Sequence, residues 1–299
     1  MEEQHNYLEI KMEELPSRGI MYSKDAQILG HFLTIADVKF ISLITPENAS
    51  PIIDSVLRRC FKFKCLPYES LLLCDRQYLI FWLRANSYLT ENGYQINIKK
   101  CSSCGQGYTG TIQLDDIDIN YLENGINPII LPQAQMRVGL KLPNVESLKY
   151  KDEDKKLELA LRMLDVGTRD PRDFIQELSA YDYTYLLDYC SSINVGFDMH
   201  FHPACPHCHT ENDIYAEIGE ENYFASHDLH DILKMTTYIT KNVGVQIPDS
   251  MSWPELETLR DVSDEIVKAE NEENAKQESK AKAKAAAMAA QHHATSFHK

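Results

Sequence analysis

The amino-acid sequence predicts an α+β fold that is mainly helical. Over most of the chain, apolar residues recur at the three- and four-residue spacing of amphipathic helices. In two stretches the spacing changes to every second residue, the pattern of half-buried strands, and each stretch flanks a Cys-x-x-Cys pair. These patterns divide the chain into five segments, residues 1–33, 34–92, 93–220, 221–250 and 251–299.

Residues 1–33 have no sustained hydrophobic period and are predicted to form an extended N-terminal arm. A turn is expected at Leu15-Pro16-Ser17-Arg18-Gly19, because proline fixes φ and glycine tolerates positive φ.

Residues 34–92 are predicted to be helical. Thr34 is followed three residues later by Asp37, which resembles a capping box at the start of a first helix. A second helix is expected after Pro51, and a third over residues 68–89.

In the segment 93–220 the period of two predicts two β-hairpins. The first hairpin combines residues 94–98 with 112–114, and the second combines residues 195–201 with 214–218. Each hairpin carries one cysteine pair at its tip.

The hairpins are joined by a predicted helical insertion, residues 115–194. Within it we expect a strand over residues 136–140 and helices over 151–166, starting near Asp152, over 171–180 and over 183–192.

The segment 221–250 contains a predicted helix over residues 227–242. Ser252-Trp253-Pro254-Glu255 opens a long C-terminal helix with an apolar stripe of Leu256, Leu259, Val262, Ile266 and Ala269. From Glu270 onward Ala, Lys and Glu dominate, which indicates a solvated helix or a partner-binding arm.

The composition is that of a globular protein, with 43% hydrophobic and 25% charged residues among 299. Thirty Lys and Arg residues stand against 45 Asp and Glu residues, a net charge of -15, which disfavours nonspecific binding to nucleic acid or to an anionic membrane. The acidity is concentrated in residues 101–250, which hold 11 basic and 24 acidic side chains.

Eight cysteines in a chain of this length are too few for a disulfide scaffold. The N-terminus lacks the basic start and apolar run of a signal peptide. The most apolar stretch, residues 71–83, contains Asp75 and Arg76 and is shorter than the roughly 20 residues that span a bilayer. We therefore expect a reducing, cytosolic environment and a buried helix at this stretch, with no membrane segment.

The two cysteine pairs, Cys101 with Cys104 and Cys205 with Cys208, predict a structural zinc site. A Cys-x-x-Cys turn supplies two thiolates from one tight loop, and four thiolates complete a tetrahedral Zn²⁺ shell. Two hairpins joined across the metal would form a zinc-ribbon-like unit. The alternative is two unrelated buried or redox pairs, but a redox pair is expected at a helix N-terminus, and neither pair precedes a helical pattern.

Three histidines near the second pair, His202, His207 and His209, are alternative ligands that could replace a cysteine. We expect them to be surface residues or hydrogen-bond donors to the ligands, because four cysteines already fill the shell. The other cysteines have no metal-ligand spacing and are predicted to be small core residues, namely Cys60, Cys65, Cys74 and Cys190.

The sequence contains no motif that predicts a catalytic residue. Residues 105–110 match G-x-G-x-x-G, but a dinucleotide site requires a helix after this motif, and here a strand is expected. The chain lacks H-E-x-x-H, G-x-S-x-G and the P-loop pattern. We therefore predict that the protein is not an enzyme.

Five short motifs in this order resemble the baseplate hub family of T-even-type contractile-tailed bacteriophages. They are Leu15-Pro16-Ser17-Arg18-Gly19 with Tyr22, Leu83-Arg84-Ala85-Asn86-Ser87-Tyr88, Cys101-x-x-Cys104, Leu140-Lys141-Leu142-Pro143 and Cys205-x-x-Cys208. The resemblance covers roughly residues 12–218. Residues 223–259 are in addition similar to the C-terminal part of proteins from phage tail-assembly modules.

This resemblance implies a structural component of the virion's tail baseplate, assembled in the host cytoplasm. Implied partners are other baseplate and hub proteins, the tail tube or tape-measure protein, and a second copy of the chain. It also implies that Cys101, Cys104, Cys205 and Cys208 are structural ligands. The alternative within the family is a transient hub-assembly chaperone absent from the mature virion.

Two further functions from other classes remain open at this point. A nucleic-acid-binding zinc ribbon would need a basic face, which the acidity of residues 101–250 disfavours. A metal-dependent hydrolase that uses the histidines near Cys208 would need an open coordination position on the metal.

Overall fold

A computed structural model describes residues 6–89, 93–151, 153–216, 218–225 and 227–296, with the backbone alone for residues 285–296. Several parts of the sequence predictions lie outside the described residues. These are the first five residues of the arm, residues 90–92 at the end of the helical segment, Asp152 at the expected start of a helix, Glu217 in the second predicted hairpin, and residues 297–299 of the C-terminal segment.

The helices, in chain order, are α1 Ile35–Ile41, α2 Ala49–Cys60, α3 Leu73–Ser87, α4 Lys155–Met163, α5 Pro171–Gln176, α6 Ala180–Ser192, α7 Leu229–Val243 and α8 Trp253–Ser296. The strands are β1 Leu8–Ile10, β2 Gln27–Gly30, β3 Phe61–Lys64, β4 Tyr94–Ile98, β5 Tyr108–Ile112, β6 Ile119–Asn120, β7 Ile129–Ile130, β8 Arg137–Leu140, β9 Leu164–Asp165, β10 Gly196–Phe197, β11 His200–Phe201 and β12 Ile214–Tyr215. The predicted mixture of helices with small antiparallel sheets is confirmed.

The chain divides into two compact units. The first unit comprises Met1–Leu33 and Leu43–Ser226, and the second comprises Thr34–Ser42 and His227–Lys299.

In the first unit, β1, β2 and β3 form an antiparallel sheet with β2 in the centre. Ile10 and Ile28 are paired across this sheet and are both buried. The expectation of an extended arm is therefore wrong for residues 8–30. It failed because β1 is only three residues long and buries a single side chain, too little to produce a period of two.

The predicted turn after Leu15 is anchored to α3 by the buried carboxylate of Asp75. Asp75 Oδ1 accepts the Ser17 N–H at 2.9 Å, and Oδ2 accepts the hydroxyls of Ser17 at 2.6 Å and Tyr22 at 2.5 Å. Gly19 has φ 67°, the left-handed conformation that the turn signal predicts. Burial raises the pKa of the Asp75 carboxyl, although these hydrogen bonds act to lower it.

Helix α3 lies in the core of the first unit, as predicted for the apolar stretch. Leu79, Ile80 and Leu83 are fully buried. The helix begins at Leu73, later than predicted, because Tyr68–Ser70 forms a separate 3-10 turn.

The first predicted hairpin forms, but its second strand lies earlier in the chain than predicted. Strands β4 and β5 pair along their full length, from Tyr94↔Ile112 to Ile98↔Tyr108. The predicted second strand, residues 112–114, overlaps β5 only at Ile112, because Leu114 begins the 3-10 turn Leu114–Asp116.

The second predicted hairpin forms only in part. Strands β11 and β12 pair as expected, whereas β10 pairs with β6. The predicted strand over residues 195–201 is thus two strands with different partners. The chain turns at Asp198, whose carboxylate accepts the His200 N–H at 3.0 Å.

Between the hairpins, α4, α5 and α6 pack with the sheet β7-β8-β9 around a common core. Strand β8 and the three helices confirm the elements predicted for this insertion, with shorter helices than expected. The buried residues of this common core are Ile129, Leu131, Val138, Leu140, Ala160, Met163, Leu164, Phe174, Leu186 and Cys190.

In the second unit, α1 begins with the predicted capping box. The Asp37 carboxylate accepts the Thr34 N–H at 3.0 Å, and the Thr34 hydroxyl accepts the Asp37 N–H at 3.2 Å. Lys39 pairs with Asp249 at 2.6 Å, which ties α1 to the loop that precedes α8. Helix α7 ends at Val243 and is followed by Gly244, which is left-handed with φ 76°.

Helix α8 has 44 residues, a length of about 66 Å. The predicted apolar stripe is partly wrong: Leu256 is buried, but Val262 is 40% exposed, and Trp253 and Ser263 are buried instead. The helix that the composition predicts after Glu270 is confirmed, and every side chain from residue 268 to 284 is exposed in the single chain. Within the described part of the chain, no helix combines the length and apolarity that a membrane span requires.

Candidate metal centre

The structure brings the two predicted cysteine pairs together. One ligand atom from each of Cys101, Cys104, Cys205 and Cys208 lies within 4.8 Å of the others, although 100 residues separate the pairs in sequence. The pairs sit at the tips of the β4–β5 and β11–β12 hairpins.

The sulfur separations fit a tetrahedral metal. The Cys101 and Cys208 Sγ atoms are 3.7 Å apart, and those of Cys104 and Cys205 are 3.8 Å apart. Four thiolates that each lie 2.3 Å from a tetrahedral Zn²⁺ are separated by about 3.8 Å. These cysteines could therefore hold a metal ion.

The first cysteine turn is closed by two backbone hydrogen bonds. The Cys101 N–H donates to the Gln106 carbonyl at 2.9 Å, and the Gly105 N–H donates to the Cys101 carbonyl at 3.1 Å. Gly105 has φ 75°, a left-handed conformation that glycine adopts without strain.

The second cysteine turn has the same backbone pattern. The Cys205 N–H donates to the Thr210 carbonyl at 2.9 Å, and the His209 N–H donates to the Cys205 carbonyl at 2.8 Å. The two turns are therefore equivalent halves of one site.

Hydrogen bonds stabilise the thiolate forms of Cys101 and Cys208. Backbone N–H groups of Cys104 and Ser103 lower the pKa of Cys101 to about 6. The Thr210 hydroxyl, 3.4 Å from the Cys208 sulfur, lowers the pKa of Cys208.

The pKa of Cys104 is shifted in the opposite direction. The Gln106 N–H acts to lower its pKa, but desolvation and hydrogen bonds from the neighbouring thiols raise it to about 11. Four adjacent thiols do not all ionise without a cation, and a divalent metal would supply the missing positive charge.

The ligands differ in exposure. Cys101 and Cys205 are 1% and 0% exposed, whereas Cys104 is exposed and Cys208 is half-buried. The first cysteine of each turn therefore belongs to the protein interior and the second lies toward solvent.

Asn212, which the sequence reasoning missed, connects the two turns. Its Oδ1 accepts the Ser102 N–H at 2.8 Å and the Ser102 hydroxyl at 2.9 Å. Its Nδ2 donates to the Tyr108 hydroxyl at 2.9 Å and lies 3.6 Å from the Cys101 sulfur. Asn212 is only 5% exposed, so these bonds hold the first turn in place from the second hairpin.

The three candidate histidine ligands lie outside the cysteine cluster. Among the described residues, the group able to hold a metal consists of cysteines alone. His202, His207 and His209 are exposed, as expected for surface residues.

The remaining cysteines are not all core residues. Cys60 and Cys190 are buried and Cys74 is half-buried, but Cys65 is exposed, which corrects its predicted core position. It follows β3 directly and has φ 53°.

The G-x-G-x-x-G match over residues 105–110 runs from the first cysteine turn into β5, as predicted, so no helix N-terminus is available for a dinucleotide.

Comparison with known proteins identifies one related family. A family model described as T4 bacteriophage base plate protein matches residues 10–218. The match includes both cysteine pairs. No curated protein and no solved structure matches the chain.

Proposed function

Because the chain belongs to the T4 bacteriophage base plate protein family, we propose that it is a structural component of the hub region of a contractile tail baseplate. It acts there through protein–protein contacts, with a structural Zn²⁺ held by Cys101, Cys104, Cys205 and Cys208. The observation that carries the proposal is the family match over residues 10–218, which includes the whole cysteine cluster.

The chemistry of the cluster supports a structural role over a catalytic one. Four thiolates complete a tetrahedral shell and leave no position for a substrate or an activated water. The spacing of the sulfur atoms, 3.7 and 3.8 Å, supports zinc as the ion.

The charge of the chain supports protein partners. Residues 101–250 hold 24 acidic and 11 basic side chains, which disfavours nucleic acid as a ligand. Tyr181 and Tyr185, one turn apart on α6, are 65% and 39% exposed. Tyrosine is enriched in protein interfaces, so this face of α6 is a candidate contact with other baseplate and hub subunits, the tail tube or the tape-measure protein.

Metal analysis tests the zinc assignment. Protein purified without chelator should contain about one zinc per chain. Cys205→Ser should lose the metal and the fold of the two hairpins, whereas Cys65→Ser, which changes an exposed cysteine outside the cluster, should retain both. Equal zinc content in the two variants would refute the four-cysteine site.

Mass spectrometry of purified phage particles tests the place in the baseplate. A permanent component, assembled in the host cytoplasm, is expected in mature particles and in isolated baseplates. Its absence from particles, together with its presence in assembly intermediates, would instead identify a departing hub-assembly chaperone.

A further inference from the structure

We propose that helix α8 is a self-association surface, on which the α8 helix of a second copy of this chain packs in antiparallel orientation. The two helices cross midway between Glu273 and Lys276. This inference goes beyond the proposed baseplate role and does not depend on the cysteine cluster, because all the residues that it uses belong to the second unit.

The first part of α8 carries two apolar stripes. One stripe, which includes Trp253 and Leu256, is buried in the second unit, where α8 packs against α7 and α1. The other stripe lies about a third of a turn further around the helix. Its members are Leu259, Val262, Ile266 and Ala269.

The spacing of this second stripe, by three, four and three residues, is that of the a and d positions of a coiled-coil seam. In the single chain the seam is open to solvent: Val262 is 40% exposed, Ala269 is exposed, and Leu259 and Ile266 are half-buried. The stripe is therefore available to a second helix.

The seam continues into the exposed arm of α8 with the same spacing. Its next four positions are Glu273, Lys276, Lys280 and Ala283. Side chains at these positions are polar or small, and all of them are exposed. The arm thus presents charges and an alanine on the side of the helix that carries the apolar stripe.

The distribution of charge determines the orientation of the pair. Residues 255–273 hold eight acidic and two basic side chains, whereas residues 274–284 hold four basic and one acidic. A parallel pair would align like charges, but an antiparallel pair sets the acidic part of each helix beside the basic part of the other. Such a pair has two-fold symmetry, so the association stops at two copies.

One register satisfies both the seam and the charges. When the helices cross midway between Glu273 and Lys276, each Glu273 faces Lys276 of the second copy. In the same register Ile266 faces Ala283, a small side chain that allows close approach, and Ala269 faces the aliphatic stem of Lys280.

The contact is a single narrow seam, so we expect a dissociation constant of about 10 to 100 µM. Single chains then predominate at low-micromolar concentrations. The simpler explanation of the arm is a solvated helix supported by its own ion pairs, such as Lys282 with Glu278 at 3.7 Å, which stays monomeric at every concentration.

Sedimentation equilibrium of the full chain between about 2 and 200 µM tests the proposal. The wild type should approach the mass of two chains at the upper end of this range. Lys276→Glu with Lys280→Glu, and separately Glu270→Lys with Glu273→Lys, should each weaken the association at least about tenfold, because like charges then face each other.

The variant that carries all four substitutions is the decisive test of orientation. It exchanges the charges of the two parts, so an antiparallel pair regains its opposite charges and the dimer should return. Lys155→Glu with Lys156→Glu, which changes two exposed lysines of α4 and alters the net charge equally, should dimerise as the wild type does. Circular dichroism melting of each variant checks that the fold is unchanged.

Three results would overturn the proposal. These are a wild type that keeps the mass of one chain over the whole range, two-residue variants of α8 that associate as strongly as the wild type, and a four-residue variant that stays monomeric. The first would leave a partner other than a second copy as the occupant of the open stripe.

Discussion

Gly105 and His209 occupy equivalent positions in the two cysteine turns. Each follows the second cysteine of its pair and donates its N–H to the carbonyl of the first. Both have left-handed backbones, with φ 75° for Gly105 and 58° for His209. The same turn geometry is thus adopted by a glycine, which tolerates positive φ, and by a histidine, which is strained at positive φ.

This equivalence predicts opposite effects of two substitutions. Gly105→Ala should lower the free energy of unfolding by about 1 to 2 kcal/mol, because a left-handed alanine is strained. A Cβ at this position would meet only Lys100 Cε, at 3.8 Å. The loss of stability would therefore come from backbone strain and not from a steric clash. His209→Gly should be neutral or stabilise by up to about 1 kcal/mol. Urea unfolding measures both, and a stabilising Gly105→Ala would contradict the argument.

Asn212→Ala should destabilise the protein by about 2 to 4 kcal/mol. The substitution removes the buried amide that accepts the Ser102 N–H and hydroxyl and donates to the Tyr108 hydroxyl, so three hydrogen bonds are lost. In the zinc-loaded protein it should also weaken metal affinity about 10- to 100-fold, because Asn212 contacts the Cys101 sulfur. Thermal unfolding and competition with a chelator measure the two effects.

The matched control is Asn97→Ala on the first hairpin. The Asn97 side chain is exposed, and its Oδ1 accepts the Thr109 hydroxyl at 3.0 Å. Its loss should change the free energy of unfolding by less than about 0.5 kcal/mol. If both asparagine variants lost the same stability, Asn212 would have no special role in joining the turns.

The cysteine turns could be predicted because their signal is local. Cys-x-x-Cys spacing and the alternation of β4 lie within a few residues, so ligand chemistry and strand geometry suffice. Asn212 gave no such signal, since its partner Ser102 is 110 residues away.

Sequence distance also hides how the predicted N-terminal turn packs against α3. Ser17 has a buried partner, Asp75, that is 58 residues distant, and no periodicity connects them. The split of the predicted strand into β10 and β11 likewise depends on β6, a partner that the alternation of the strand itself does not specify. Local patterns predicted elements, whereas pairing between distant segments decided how they pack.

Deletion of residues 270–299 should leave the free energy of unfolding within about 1 kcal/mol of the wild type. All described side chains of α8 beyond residue 267 are exposed, so little apolar surface is lost. Leu256→Ala, in the buried part of the same helix, should instead cost about 2 to 5 kcal/mol. Chemical denaturation compares the two, and a large loss on deletion would mean that the tail packs against the rest of the chain.

The buried carboxyl of Asp75 should make the free energy of unfolding depend on pH. Burial raises the pKa of its carboxyl above the ordinary 3.8, so the folded state holds this proton more tightly than the unfolded state. The resulting stabilisation is fully present below pH 3.8 and is lost as the pH rises through the folded-state pKa. Relative to Asp75→Asn, which cannot titrate, the wild type should therefore gain stability as the pH falls, by at most about 1.4 kcal/mol per pH unit.

Urea unfolding of both proteins between about pH 4 and pH 8 measures this difference, with Asp116→Asn as an exposed control. A wild type that instead loses stability relative to Asp75→Asn as the pH falls would mean that the hydrogen bonds from Ser17 and Tyr22, rather than burial, determine the pKa of Asp75.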